Sequence, residues 1–168
     1  MIPRFKPYLG KEELLAALTP NRKAVERFEE LFARTFEAKY ALAFSYGRSA
    51  LWAFFKAMNI QGAEIIMPAY TCTVVAHAIV LSGNRPRFVD ITFHDFNMDL
   101  DHVAEAINRN THAIIATHLF GYPLDIERLS EIVKQAEKRI GHKIWVIQDC
   151  AHAFGAKWEG KLVCNAGD

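Results

Sequence analysis

Two apolar patterns alternate along this chain: stripes at helical spacing and short continuous runs. Residues 22–38, RKAVERFEELFARTFEA, place Val25, Phe28, Leu31, Phe32, Thr35 and Phe36 on one helical stripe. The run YALAFS at 40–45 then predicts a short strand, which Gly47 breaks before a helix over 48–59. EIIM at 64–67 predicts a second strand, closed by Pro68, with a helix over 71–81 that ends at the turn signal Ser82-Gly83-Asn84. PRFVDI at 86–91 is strand-like, and Asp99 is placed to cap a helix reaching about Asn108. THAIIAT at 111–117 predicts a strand, 125–139 a charged amphipathic helix, and KIWVIQD at 143–149 a last strand. Strands separated by helices predict βαβ units on a mostly parallel sheet. Several strands are apolar on both faces, which predicts helices covering both sides.

Composition narrows the class. The chain has 168 residues, 51% hydrophobic and 23% charged, as in a globular domain. A net charge of +1 with scattered basic residues gives no field that calls for nucleic acid or an anionic membrane. No apolar run is long enough to span a bilayer, and MIPRFKPYLGKEELL has no signal core, so a cytoplasmic location is expected. Cys72, Cys150 and Cys164 are far apart and read as reduced thiols. The seven histidines form no metal-ligand spacing, so no metal is expected. No G-x-G-x-x-G follows a first strand, which argues against a dinucleotide-binding domain.

In open parallel sheets, ligands bind beyond the carboxyl ends of the strands. Three stretches fall there. In SYGRSAL, Gly47 turns the chain into a helix whose free N–H groups could hold an anion, with Arg48 and Ser49 adding charge and a hydroxyl. An ordinary strand-turn-helix junction would look the same. In PAYTCTVVAHAI, Tyr70, Thr71 and Cys72 precede a helix, and Tyr70 could face a ligand or pack on the sheet. In VIQDCAHAFGA, Asp149 ends a hydrophobic strand, where a bare carboxylate is costly. It is either a turn cap or a counter-ion for a protonated ligand nitrogen, with His152 on the same loop.

In this order, the stretches IPRFKPYLGKEE, ERFEELFARTFEAKYALAFSYGRSAL, GAEIIMPAYTCTVVAHAIVLSGNRPRFVDI, HLFGYPLDIERL and IQDCAHAFGAKWEGKLVCNAGD resemble the N-terminal half of the DegT/DnrJ/EryC1/StrS aminotransferases. The resemblance covers nearly the whole chain. It implies a three-layer α/β fold, the large domain of fold type I enzymes, with residues 1–168 as its N-terminal part and the small C-terminal domain outside the sequence. It implies pyridoxal 5'-phosphate as cofactor. Asp149 would sit beside the pyridine nitrogen and His152 near the phenolic oxygen. Gly47 and Arg48 match the turn that holds the phosphate, Thr71 matches a threonine of the site, and Cys72 takes the position that usually stacks an aromatic on the ring. The pattern also departs at Tyr46, at Arg48 where threonine is common, at Gln148 where glutamate is usual, and in TPNRKAVERFEE, which lacks the expected glycines.

The family's Schiff-base lysine is expected after Asp168, and Lys157 and Lys161 do not match it. GKLVCNAGD therefore reads as a chain interrupted partway through a fold. The implied whole reaction moves an amino group, typically from glutamate, onto a nucleotide-linked keto-sugar in a homodimer. Two other readings stand beside it: a sugar dehydratase of the same family, with histidine in place of the lysine, or a non-catalytic remnant serving as a binding or assembly module.

Overall fold

The computed structural model describes residues 9–19 and 21–168; residues 2–8 of the opening stretch quoted above lie outside them. The chain forms two compact units, residues 1–43 and 44–168.

The first unit carries two helices. Helix α1, Lys11–Leu18, starts where the Gly10 N–H donates to the Glu13 carboxylate at 2.7 Å. Helix α2, Ala24–Thr35, follows a turn in which Asn21 Oδ1 accepts from the Lys23 N–H. Its aromatic stripe forms as the spacing predicts: the Phe28 and Phe32 rings lie 5.7 Å apart, and those of Phe32 and Phe36 4.6 Å. Phe36 is buried, while Val25, Phe28, Leu31 and Phe32 remain substantially exposed.

One predicted element does not form. Residues 40–45 make no strand. A strand exists only through its partners, and here the Ala43 N–H donates to the Glu29 carboxylate at 2.7 Å instead of to a neighbouring backbone. Tyr40 and Leu42 are about three-quarters exposed, so the apolar run is extended without being paired or covered.

The second unit holds the sheet. Its strands are β1 Glu64–Pro68, β2 Arg85–Val89, β3 Thr111–Thr117 and β4 Trp145–Asp149, all parallel, in the order β2-β1-β3-β4. Helices α3 Gly47–Ala57 and α4 Thr73–Leu81 cover one face, where Phe55, Val75 and Ile79 pack on Ile65, Met67, Ala113 and Ile115. Helices α5 Leu100–Ala106 and α6 Ile126–Ile140 cover the other, where Val103, Leu129 and Val133 pack on Ile66, Ile114 and Val146. The architecture is thus three-layered around a parallel sheet, as the alternating pattern predicts.

The helices start and stop where local chemistry dictates. Asp99 caps α5, accepting the N–H of Asp101 at 2.8 Å. Asp125 caps α6 through the Arg128 N–H at 2.9 Å, and Gly141, at φ 85°, ends it in the left-handed conformation that glycine adopts without strain. After β4 a small antiparallel hairpin, β5 Lys157–Trp158 and β6 Lys161–Leu162, turns the chain back. Its last residues return to the edge of β4: the Asp168 N–H donates to the Val146 carbonyl, and the Asp168 carboxylate accepts the Val146 N–H, both at 3.0 Å. Gly167 lies so close that an added Cβ would stand 2.7 Å from the Val146 carbonyl oxygen. No helix among the described residues is long and apolar enough to cross a membrane.

Candidate functional site

Four parallel strands point their carboxyl ends the same way, and the chain places its unusual residues at that end. Strand β4 is an edge strand, in register with β3 so that Thr117 stands beside Asp149. Alternation puts Ile147 and Asp149 on the α3/α4 face and Val146 and Gln148 on the α5/α6 face. The N-termini of α3 and α4 reach the same end.

Between them lies a cleft of ≈ 710 Å³, within the size range of small-molecule sites. Leu51, Phe54, Val75 and Ile147 give it apolar walls; Gly47, Arg48, Cys72, Asp149 and His152 also line it. Five of the six residues singled out from the sequence as cofactor contacts therefore converge on one cleft. Thr71 is not among the lining residues; it sits half-buried in the bend before α4. Tyr70 is also absent from the lining, and its half-exposed ring stands 6.0 Å from that of Phe96.

Neither helix N-terminus on the cleft is capped by a side chain. Tyr46 precedes α3 in an extended conformation, and its carbonyl accepts the N–H groups of Ser49 and Ala50 at 2.9 and 3.2 Å. Cys72 precedes α4 likewise, its carbonyl accepting from Val75 at 3.0 Å. The first N–H groups of each helix are therefore left without a side-chain acceptor, with the positive end of a helix dipole behind them. The Arg48 guanidinium lies 4.3 Å from the Tyr46 ring centroid, a cation–π contact that holds the charge at the rim.

Asp149 is half-buried, and among the described residues its carboxylate accepts one long bond, 3.2 Å, from the Ala151 N–H. No lysine or arginine pairs with it among the described residues. A half-buried carboxylate with one weak donor is under-satisfied. His152 is exposed on the loop that follows, with its ring nearly parallel to that of Phe120 at 5.8 Å.

Burial decides the chemistry of the thiols. It pushes the Cys150 thiol up to about 12, with Cys164 and Asp149 adding to the rise, and it also raises Cys164. Neither is a nucleophile at neutral pH. Cys72 is exposed.

Sequence reasoning missed part of this site. Cys164 and Gly167 join the cleft through the β5–β6 hairpin, and no local pattern announces that return. His118 was also passed over, although its place directly after β3 is a readable signal: it falls beside the end of β4 in any parallel β3–β4 pair. It is fully buried, and burial lowers its tendency to protonate, against the opposing pull of the Gln148 hydrogen bond and of Asp149.

The chain is similar to known proteins along nearly its whole length. The family model described as the DegT/DnrJ/EryC1/StrS aminotransferase family matches residues 13–168. GDP-perosamine synthase of Escherichia coli O157:H7 is 35% identical over 99% of this chain and 47% of its own length. The crystallised aminotransferase of Psychrobacter cryohalolentis superposes with a TM-score of 0.79 at 26% identity, over 92% of this chain and 40% of that one. A GDP-4-keto-6-deoxymannose-3-dehydratase, solved with PLP and glutamate trapped as a geminal diamine, gives 0.76 at 27% identity, over 89% and 39%. The chain thus spans about half the length of the relatives it matches.

Proposed function

The chain belongs to the DegT/DnrJ/EryC1/StrS aminotransferase family, and from that premise we propose that it is the N-terminal part of the large domain of a pyridoxal-phosphate-dependent sugar aminotransferase. The whole protein would act in the cytoplasm as a homodimer, moving an amino group from glutamate onto a nucleotide-linked keto-sugar. The observation that carries the proposal is Asp149: a half-buried, uncompensated carboxylate on the wall of a cleft whose mouth is ringed by open helix N-termini.

The residues fit the group. Asp149 would hold a protonated pyridine nitrogen, which replaces the missing counter-ion with a charged hydrogen bond. The α3 N-terminus at Gly47 and Arg48 would hold the phosphate by backbone N–H groups and a guanidinium. His152 would orient the phenolic oxygen. Cys72 would lie over the ring where relatives of the pattern place an aromatic, giving a polarizable but smaller contact. Thr71, just outside the lining, would contribute through the bend it shapes before α4. When bound, pyridoxal phosphate supplies an electron sink for the substrate carbon. The apolar walls of Leu51, Phe54 and Ile147 exclude water from that region.

The proton carrier is a separate matter. No lysine lines the cleft among the described residues, so the amine that would shuttle the proton is expected after Asp168. The 168-residue polypeptide should therefore bind pyridoxal phosphate without transaminating. The test is an absorbance titration with the cofactor, followed by borohydride and mass mapping. Binding without specific fixation of a lysine is expected, and turnover of a nucleotide sugar by this polypeptide would refute the assignment. A dehydratase reading is favoured by one observation, the 27% identity to a 3-dehydratase over 89% of the chain; the residue expected in the lysine's place decides it.

A further inference from the structure

Behind Asp149, on the α5/α6 face of the sheet, a buried histidine takes no part in the function just described. The Leu124 N–H donates to His118 Nδ1 at 2.9 Å. A backbone amide can only donate, so Nδ1 carries no proton, and in the neutral ring the proton must be on Nε2. Nε2 lies 2.8 Å from Gln148 Oε1, so the imidazole donates and the Gln148 oxygen is fixed towards it. The same residue's backbone closes the arrangement, because the His118 N–H donates to the Asp149 carbonyl at 3.2 Å. His118 thus ties three things together: the end of β4, the Gln148 side chain and the loop 118–124.

That loop needs the tie. Phe120 and Gly121 adopt consecutive left-handed conformations, φ 53° and 86°, which strain a phenylalanine. The loop is pinned from the other side by Asn97, whose Oδ1 accepts the Leu119 N–H at 3.0 Å and whose amide donates to the Tyr122 carbonyl at 3.1 Å. So held, it sets Phe120 parallel to His152 and Gly121 under the His152 carbonyl, where a Cβ would stand 3.4 Å away. Protonating His118 would put a hydrogen on Nδ1 facing the Leu124 N–H, and the tie would break. Asp149 is the charged group whose field His118 feels.

We propose that His118 is a positioning residue for the cleft: a neutral, Nε2-protonated imidazole that, through Gln148 and Leu124, locks loop 118–124 to the end of β4 and so places Asp149 and His152. Gln148 suits this task better than a carboxylate, because an amide oxygen accepts the Nε2 proton without drawing a second proton onto the ring. The buried Gln148 Nε2, which has no partner among the described residues, is the penalty of that choice. The proposal rests on the cofactor reading only for its affinity readout.

The test uses the 168-residue chain with ¹⁵N-labelled histidine. Long-range ¹H–¹⁵N correlation should show His118 as the Nε2–H tautomer, still neutral where an ordinary histidine, near 6.5, is half-charged. Gln148→Leu should lower pyridoxal phosphate affinity roughly tenfold, the scale of an orphaned buried donor, and shift the ring and amide signals of His152 and Ala151. Gln148→Glu should move the His118 titration upward, drawing a proton onto Nδ1 against the Leu124 N–H, and so leave affinity lowered as in Gln148→Leu. An Nδ1–H tautomer, ordinary titration of His118, or a Gln148→Leu protein with unchanged His152 and Ala151 signals would overturn the proposal. If the unaltered chain binds no pyridoxal phosphate, the cofactor reading fails, and the His118 tautomer and the His152 and Ala151 signals still decide this one.

Discussion

Replacing Asp149 with asparagine separates a counter-ion from a turn cap. The substitution keeps the volume and keeps an oxygen that can accept from Ala151, so the 3.2 Å bond and the surrounding packing survive. What is lost is the negative charge. Two unit charges about 4 Å apart attract by roughly 4 kcal/mol at the effective dielectric of a protein surface, and part of that is returned as desolvation. A net loss of about 2 kcal/mol, near thirtyfold in affinity, is the expected scale for a charged hydrogen bond. The assay is a pyridoxal phosphate titration of the 168-residue chain and its Asp149→Asn variant, with thermal melting of both. The variant should bind about thirtyfold more weakly and melt within a degree or two of its parent, because a preserved acceptor changes stability by less than about 0.5 kcal/mol. Equal affinity in the two proteins would refute the counter-ion reasoning. Unchanged affinity together with an unchanged melting temperature would leave Asp149 as a turn cap, a role that asparagine also fills.

Other outcomes follow from the same structure. A maleimide or alkylating reagent at mildly alkaline pH should label the exposed Cys72 first, and Cys150 should resist until the pH nears its value of about 12 or the chain unfolds; mass mapping of labelled peptides checks this. Gly167→Ala should destabilise the fold by roughly 1–3 kcal/mol, read as a fall in the denaturant midpoint, because its Cβ would lie 2.7 Å from the Val146 carbonyl oxygen beside the two bonds that Asp168 makes to the Val146 backbone. Stability should also depend on pH through His118. Its folded pKa is lowered by burial, so the unfolded chain binds the extra proton more readily. Its contribution is complete above the ordinary value near 6.5 and declines as pH falls below it. Denaturant titrations at a series of pH values check the slope, which should flatten in Gln148→Glu, where the ring is charged in both states.

Most of the fold was legible because its signals are local. Strand β3 was read to the residue, since THAIIAT is apolar without a break and a fully buried central strand needs that composition. Asp99 announced α5 as a side chain that could accept backbone N–H groups, and it does. Residues 40–45 fooled the same reasoning. Their composition suits a strand as well as that of β1 does, yet β1 has β2 and β3 on either side while 40–45 has no paired neighbour among the described residues. Composition records how well a segment would pack in a sheet; it carries nothing about whether an edge is there to receive it.

The site divides along the same line. Gly47, Arg48, Asp149 and His152 were found because each stands where a parallel sheet must present residues, at a strand's carboxyl end or a following helix's start. Thr71 belongs to that class by position, but the bend before α4 turns it off the cleft wall. Which neighbour of a strand end faces the ligand depends on a local twist that a residue count does not carry. Cys164 and Gly167 arrive through a hairpin, and His118 acts from behind the sheet, so their roles come from tertiary contacts alone. The apolar residues that wall the cleft, Leu51, Phe54 and Ile147, were readable only as core. They line the cleft because they lie at the end of the layer that α3 and α4 lay over β1 and β3, so that the same kind of side chain that fills the core further in faces an open space here. The cleft is thus a property of strand order and of the way the helices cross the sheet, and strand order is the feature of the fold that no single stretch of sequence contains.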